Sequence, residues 1–210
     1  MIQLNKTVVA FALITVTLLI LSQQEREQPS LQLITHESTI LCFGDSLTFG
    51  TGASPSESYP ARLKSVLGCT IINAGVPGET THDGIRRFTK LLDQHQPQLV
   101  ILCEGGNDFL RKMPSSETEE NLSRMIKEAQ FRNVEVLLLG VPKPGLLVAT
   151  SVIYVELAEQ HNIALLEDNI ADILSNNALK SDYVHPNATG YQILANTIFE
   201  KLNFSLHSNK

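Results

Sequence analysis

The sequence predicts an α/β fold, a three-layer α/β/α sandwich built on a five-stranded parallel sheet. Three observations predict it. Short uncharged apolar runs, as expected of strands buried on both faces, recur along the chain. Between them lie longer stretches whose apolar residues repeat at helical spacing. Run after run then empties into a loop of glycine with Asp, Ser or Asn, the place where open α/β sheets bind ligands. A hydrophobic content of 43% with 18% charged residues describes a globular chain, and 210 residues suffice for one domain with a full core.

The front of the chain reads as separate from that domain. Lys6 precedes an uncharged run from Thr7 to Ser22, rich in Val, Ala, Leu, Ile and Phe, and Gln23-Gln-Glu-Arg-Glu27 follows at once. A positive start before such a run suits a signal peptide or an N-terminal membrane anchor over residues 1–22. Residues 23–37 read as a polar tether, and the globular domain as 38–206. The expectation is an exported protein, periplasmic or extracellular, or one held at a membrane by its first segment. A net charge of -6 with a sequence pI near 5.5 offers nucleic acid no electrostatic footprint. Three cysteines are too few for a disulfide scaffold and lack metal-type spacing. Cys42 and Cys103 fall in apolar runs and read as buried thiols; pairing between any two of Cys42, Cys69 and Cys103 stays open.

The elements follow in order. Thr39 to Phe43 is the first strand, stopped by Gly44-Asp45-Ser46, where glycine permits a sharp turn. Ser46 stands where a nucleophile would serve, although Ser or Asp capping a helix explains the same stretch. Gly50 to Pro55 is turn material. Ser58 caps a helix reaching Leu67, with Pro60 tolerated in its first turn and Gly68 ending it. Thr70 to Asn73 is the second strand, and its exit loop, Ala74 to Thr80, holds two glycines and a proline. A helix from Thr81 to His95 turns Ile85, Phe88, Leu91 and Leu92 inward. Leu99 to Cys103 is the clearest buried strand, ending in Glu104-Gly-Gly-Asn-Asp108. There Asn107 is either a turn residue or an N–H donor to a developing oxyanion. A helix from Ser116 to Phe131, a strand from Glu135 to Leu139 and an exit loop from Gly140 to Gly145 follow. Leu146 to Ala149 either lines a groove or packs as core. Ser151 to His161 is helical, Ile163 to Leu166 is the fifth strand, and Ala188 to Leu202 is the closing helix. Before that helix, Asp182 stands three residues ahead of His185, close enough on a tight turn to fix the imidazole tautomer, as the acid of a serine triad does.

Four of these loops, in this order and at this spacing, resemble the SGNH, or GDSL-type, hydrolase family, including its bacterial thioesterase/lysophospholipase and arylesterase members. Gly44-Asp-Ser-Leu47 is similar to the family's first block and Asn73-Ala-Gly-Val-Pro-Gly-Glu-Thr80 to its second. Gly106-Asn-Asp108 is similar to the third, and Asp182-Tyr-Val-His185 to the last. The resemblance spans most of residues 38 to 203 and implies a flavodoxin-like sheet. It implies Ser46 as nucleophile, His185 as base and Asp182 as its orienting acid. The oxyanion hole would comprise the N–H groups of Ser46 and Gly78 with the Asn107 side chain; Gly75 is the competing glycine. The implied reaction is hydrolysis of carboxylic esters, or thioesters, through an acyl-enzyme, without metal or organic cofactor, and a lipid-type esterase or lysophospholipase is the leading case. The partners are then a small acyl ester or a lysophospholipid, with membrane association possible through residues 1–22. A carbohydrate or cell-wall O-deacetylase is the alternative within enzymes, and a non-catalytic binding domain the alternative outside them. The chain departs from the family at Glu104, where relatives place an apolar residue, and in a shorter loop after the fourth strand.

Overall fold

The computed structural model describes residues 29–31, 33–145 and 148–202. Five strands form one parallel sheet: β1 (Thr39–Gly44), β2 (Thr70–Gly75), β3 (Leu99–Cys103), β4 (Glu135–Leu139) and, after a small hairpin, β7 (Ala164–Leu166). The hairpin pairs β5 (Pro142–Lys143) with β6 (Ala149–Thr150) in antiparallel fashion. Strand order in the sheet is β2-β1-β3-β4-β7, with Gly44 registered against Gly75 on one side and Cys103 on the other. This flavodoxin-like order reverses direction between β1 and β3, and a crevice opens at such a switch point outside the carboxyl ends of the strands.

Composition explains each position in the sheet. All five residues of β3, and Ile40 to Phe43 of β1, are buried, so the uncharged runs hold the centre. β2, at the edge, is half-exposed throughout. The helices are α1 (Ser46–Phe49), α2 (Tyr59–Leu67), α3 (Thr81–His95), α4 (Gly106–Leu110), α5 (Ser115–Phe131), α6 (Ile153–His161), α7 (Asn169–Ser175) and α8 (Ala188–Lys201). α3, α5 and α6 pack together in one layer; α2, α7 and α8 form the other. Ser58 caps α2 through the Ala61 N–H, and Gly68 ends it at φ +63°. Burying Tyr59, Phe88, Tyr154 and Tyr191 with the strand residues gives one contiguous core.

Several boundaries differ from the sequence reading. α1 and α4 occupy stretches read as loops, and α7 lies in a connection assigned no element. α6 starts at Ile153 rather than Ser151, and α5 one residue before Ser116. In the stretch read as a polar tether, Leu31 and Ile34 are buried in the core. The signal or anchor segment expected in residues 1–22 lies outside the described residues, as do Leu146 and Leu147 of the expected groove. Among the described residues, no helix is long and apolar enough to cross a membrane. Cys42, Cys69 and Cys103 are all free thiols and buried.

Candidate active site

Gly44 closes β1 where a side chain has no room: a Cβ there would stand 2.2 Å from the Cys103 carbonyl oxygen and 2.3 Å from Thr48 Oγ1. The chain turns at once into α1, and Asp45 caps it by accepting the Leu47 N–H at 2.9 Å. Ser46 is therefore the first residue of a helix at the carboxyl end of β1, beside the switch point. Asp45 supplies the cap, and Ser46 lines the cavity at that crevice.

His185 arrives from the opposite side of the sequence. Its loop is closed by a bridge between Lys180 and Pro186 and by the Ser181 N–H donating to the His185 carbonyl at 2.9 Å. Within it, Asp182 Oδ1 accepts the backbone N–H groups of Val184 and His185, while Oδ2 lies 2.8 Å from His185 Nδ1. His185 Nε2 is then 2.9 Å from Ser46 Oγ. Burial alone would raise the Asp182 carboxyl, but the His185 ring and the Val184 and His185 amides outweigh it. They hold the group below the ordinary carboxylate range. An ionised Asp182 at this distance is placed to accept a proton held on His185 Nδ1, the tautomer in which Nε2 can accept from the Ser46 hydroxyl.

The second-block loop is a type II turn. The Glu79 N–H donates to the Val76 carbonyl at 3.1 Å, Pro77 takes the first central position and Gly78 the second, at φ +80°. The loop is tied down from both sides. Arg87 pairs through two nitrogens with the Glu79 carboxylate, donates to the Gly44 carbonyl at 3.3 Å and lies over the Phe43 ring. Arg111 donates to the Gly78 carbonyl at 2.7 Å. The Gly75 N–H is already committed to Asn73 Oδ1 at 3.0 Å. Among the described residues, the N–H groups of Ser46 and Gly78 have no acceptor.

Asn107 sits in α4, directly after β3, and its Nδ2 donates to Asp45 Oδ2 at 3.1 Å. This contact gives Asp45 a second task that its sequence position did not suggest. Asp108, fully buried, accepts from the Thr81 N–H at 3.0 Å, Thr81 Oγ1 at 2.5 Å and Thr118 Oγ1 at 3.4 Å, and so binds α4 to α3 and α5. Burial pushes the Asp45 carboxyl up to about 7, against the pull of the Leu47 N–H and His185, with Asp108 and Glu79 adding to the rise. Glu104, the departure noted above, is wholly buried, and among the described residues neither of its oxygens has a hydrogen-bond partner. Burial first, then Asp45, the adjoining Glu79 carboxyl and Asp108, raise it well above the carboxylate range.

A cavity of about 350 Å³ opens beside Ser46 and His185. Leu47, Leu110, Val141, Val148, Leu174 and Val184 give it an apolar wall, and Lys143, Lys180 and Tyr183 also line it. Of the expected Leu146–Ala149 groove, Val148 and Ala149 fall among the described residues; Val148 lines the cavity, and Ala149 pairs with Lys143 in the hairpin. The fold thus joins Asp182, His185 and Ser46 in one hydrogen-bonded chain and brings Asn107 beside it through Asp45, the residue before Ser46. Gly78 joins the same sheet edge through its loop. Among the described residues, no group of three or more His, Cys, Asp or Glu side chains is placed to hold a metal ion.

Comparison with known proteins finds relatives over most of the chain. A profile of the GDSL-like lipase/acylhydrolase family matches residues 42–193. The thioesterase 1/protease 1/lysophospholipase L1 of Escherichia coli K12 is 32% identical over 172 residues, covering 78% of this chain and 83% of its own. An arylesterase of Vibrio mimicus is 29% identical over 174 residues, covering 78% and 87% respectively. Among solved structures, the psychrotrophic esterase EstA of Pseudoalteromonas sp., inhibited by monoethylphosphonate, superimposes with a TM-score of 0.70. It is 26% identical and covers 79% of this chain and 96% of its own.

Proposed function

Because the chain belongs to the GDSL-like lipase/acylhydrolase family and is an SGNH-type esterase, we propose that it hydrolyses apolar acyl esters through an acyl-enzyme formed on Ser46. The observation that carries this reading is the Ser46 Oγ to His185 Nε2 contact of 2.9 Å beside an apolar cavity. His185 takes the hydroxyl proton as Ser46 Oγ attacks the ester carbonyl, and Asp182 stabilises the imidazolium that results. The tetrahedral oxyanion is received by the N–H groups of Ser46 and Gly78 and by Asn107 Nδ2. The free state of the two backbone donors, and the commitment of the Gly75 N–H elsewhere, support Gly78 over Gly75. His185 then protonates the leaving alcohol or thiol. Water, deprotonated by the same imidazole, releases the acid.

The apolar wall and the names of the relatives support a lipid-type esterase or lysophospholipase. The apolar run from Thr7 to Ser22 behind Lys6 supports placing the reaction outside the cytoplasm. The test is the hydrolysis of p-nitrophenyl esters from acetyl to palmitoyl by the full chain, with Ser46→Ala as the blank. Each methylene accepted by the cavity should raise kcat/KM about fourfold, from ~0.8 kcal/mol per buried CH₂, until the cavity is full. Activity confined to the acetyl ester would move the assignment to an O-deacetylase. Equal rates in the wild type and in Ser46→Ala would remove Ser46 as nucleophile.

A further inference from the structure

The cavity wall holds an unusual set of charges. Apart from His185, the charged residues lining it are Asp45, Lys143 and Lys180. Asp45 is buried, with one oxygen on the Leu47 N–H and the other on Asn107 Nδ2. The charged groups with hydrogen-bonding capacity left for a ligand are the two ammonium groups. Acidic residues outnumber basic ones in this chain, 22 against 16, yet neither lysine makes an ion pair among the described residues.

Both ammonium groups are held in place by neutral partners. Lys143, on the exposed β5–β6 hairpin, donates to Ser115 Oγ at 3.1 Å and stands 5.2 Å from the centre of the Phe109 ring. Lys180, half-buried at the base of the His185 loop, donates to the Leu174 carbonyl at 2.8 Å. Such partners fix an ammonium without cancelling its charge, and each group retains further N–H donors. Next to an apolar wall the charge is screened less than in bulk water, so its pull on an anion is stronger there.

We infer that Lys143 and Lys180 form an anion subsite of the cleft, so that the preferred substrate is an ester bearing a carboxylate or phosphate beside its apolar chain. This inference rests on the esterase reading above. The anion has two possible sources: the far end of the acyl group, as in the half-ester of a dicarboxylic acid, or the leaving group, as in a phosphate-bearing alcohol.

The experiment compares kcat/KM on two matched pairs of esters, followed by pH-stat with the full chain. p-Nitrophenyl hydrogen adipate against p-nitrophenyl hexanoate places the charge on the acyl side. 4-(Hexanoyloxy)phenyl phosphate against phenyl hexanoate places it on the leaving group. Intrinsic reactivity cancels when the wild type and Lys143→Gln are compared on the same pair. The charged-to-neutral ratio of one pair should fall about tenfold in Lys143→Gln, the size expected for one partly desolvated charge contact. Lys143→Arg should restore it, Lys180→Gln should lower it, and added salt should lower it in the wild type. The pair that responds identifies the source of the anion. Ratios unchanged in both Lys143→Gln and Lys180→Gln would overturn the subsite while leaving the esterase intact. Hydrolysis of every ester at the rate of the Ser46→Ala blank would overturn the esterase reading itself, and the subsite with it.

Discussion

The side-chain amide of Asn107 has two N–H groups, and one of them is spent on Asp45 Oδ2. That bond sets the rotation of the amide and leaves its other N–H available to the proposed oxyanion hole. Asn107→Ala should therefore lower kcat by about 10²–10³ with little change in KM, because the donor acts only as charge develops. A steady-state comparison at saturating and limiting ester checks this, and an unchanged kcat would exclude the amide from the hole. Asp182→Asn should cost about 10⁴ in kcat, since an amide can present an N–H to Nδ1 and stabilise the wrong tautomer. Ser46, Asn107, Asp182 and His185 were legible in the sequence because their residue types recur at fixed loop positions. The link from Asp45 to Asn107 was not, since the residues lie 62 positions apart and Asp45 already had a sufficient local role as a helix cap. The Arg87–Glu79 pair was hidden for a similar reason: a turn and two turns of helix intervene, and no local pattern marks the contact.

The element that decides whether Gly78 can work is the Val76–Glu79 turn. A residue with φ near +80° is natural for glycine and costs an L side chain roughly 1–2 kcal/mol. Space is not the obstacle, because a Cβ on Gly78 would meet no atom nearer than the Arg111 guanidinium at 3.9 Å. Gly78→Ala should thus fold, melt lower by about that strain, and lose kcat as the turn relaxes and swings its N–H away. A thermal melt paired with kcat separates the two effects. Elements of this kind are legible when their chemistry is local: Pro-Gly specifies the turn, and Ser58 with Gly68 brackets α2. Short elements escape. α1 spans four residues and α4 five, too few for a helical period to register. α7 carried a usable signal in Ile170, Ala171, Ile173 and Leu174, all buried, but over seven residues it amounts to less than two turns. The β5–β6 hairpin pairs only two residues per strand, and tertiary position rather than pattern sets it.

For the whole molecule, the buried acids below the nucleophile set the response to pH. Asp45 and Glu104 have folded pKa values raised above their unfolded values of about 4. Between those limits the native state holds protons that the unfolded chain has released, so stability falls as pH rises from about 4 through 7. Asp182, shifted the other way, stabilises the fold above its unfolded value and ceases to do so in acid. The melting temperature should accordingly decline from about pH 5 to pH 7, and Glu104→Gln should flatten that decline. A slope unchanged in the variant would mean that Glu104 is not the group releasing the proton. The central strands were legible at this scale because burial on both faces leaves only apolar residues in them. The start of the core was less so: Leu31-Gln-Leu-Ile34 is too short to show a period, and only packing reveals that Leu31 and Ile34 are buried while Leu33 is exposed.

The parallel sheet has a polarity, and residues 29–31 lie at the end far from the nucleophile. Residues 29–31 line a hollow with Val134, Glu135 and Val136 at the start of β4 and with Asn162, Ile163 and Ala164 at the start of β7. Ser46 and His185 belong to the other edge. α8 begins two residues after His185's neighbour Pro186 and carries the chain 14 residues away from the cleft, about 21 Å at 1.5 Å per residue. A bead, electrode or fused display partner coupled at Ser30 or Lys201 therefore takes hold behind the catalyst. The cleft is left facing the bulk solution, where a bulky ester can approach without passing the support.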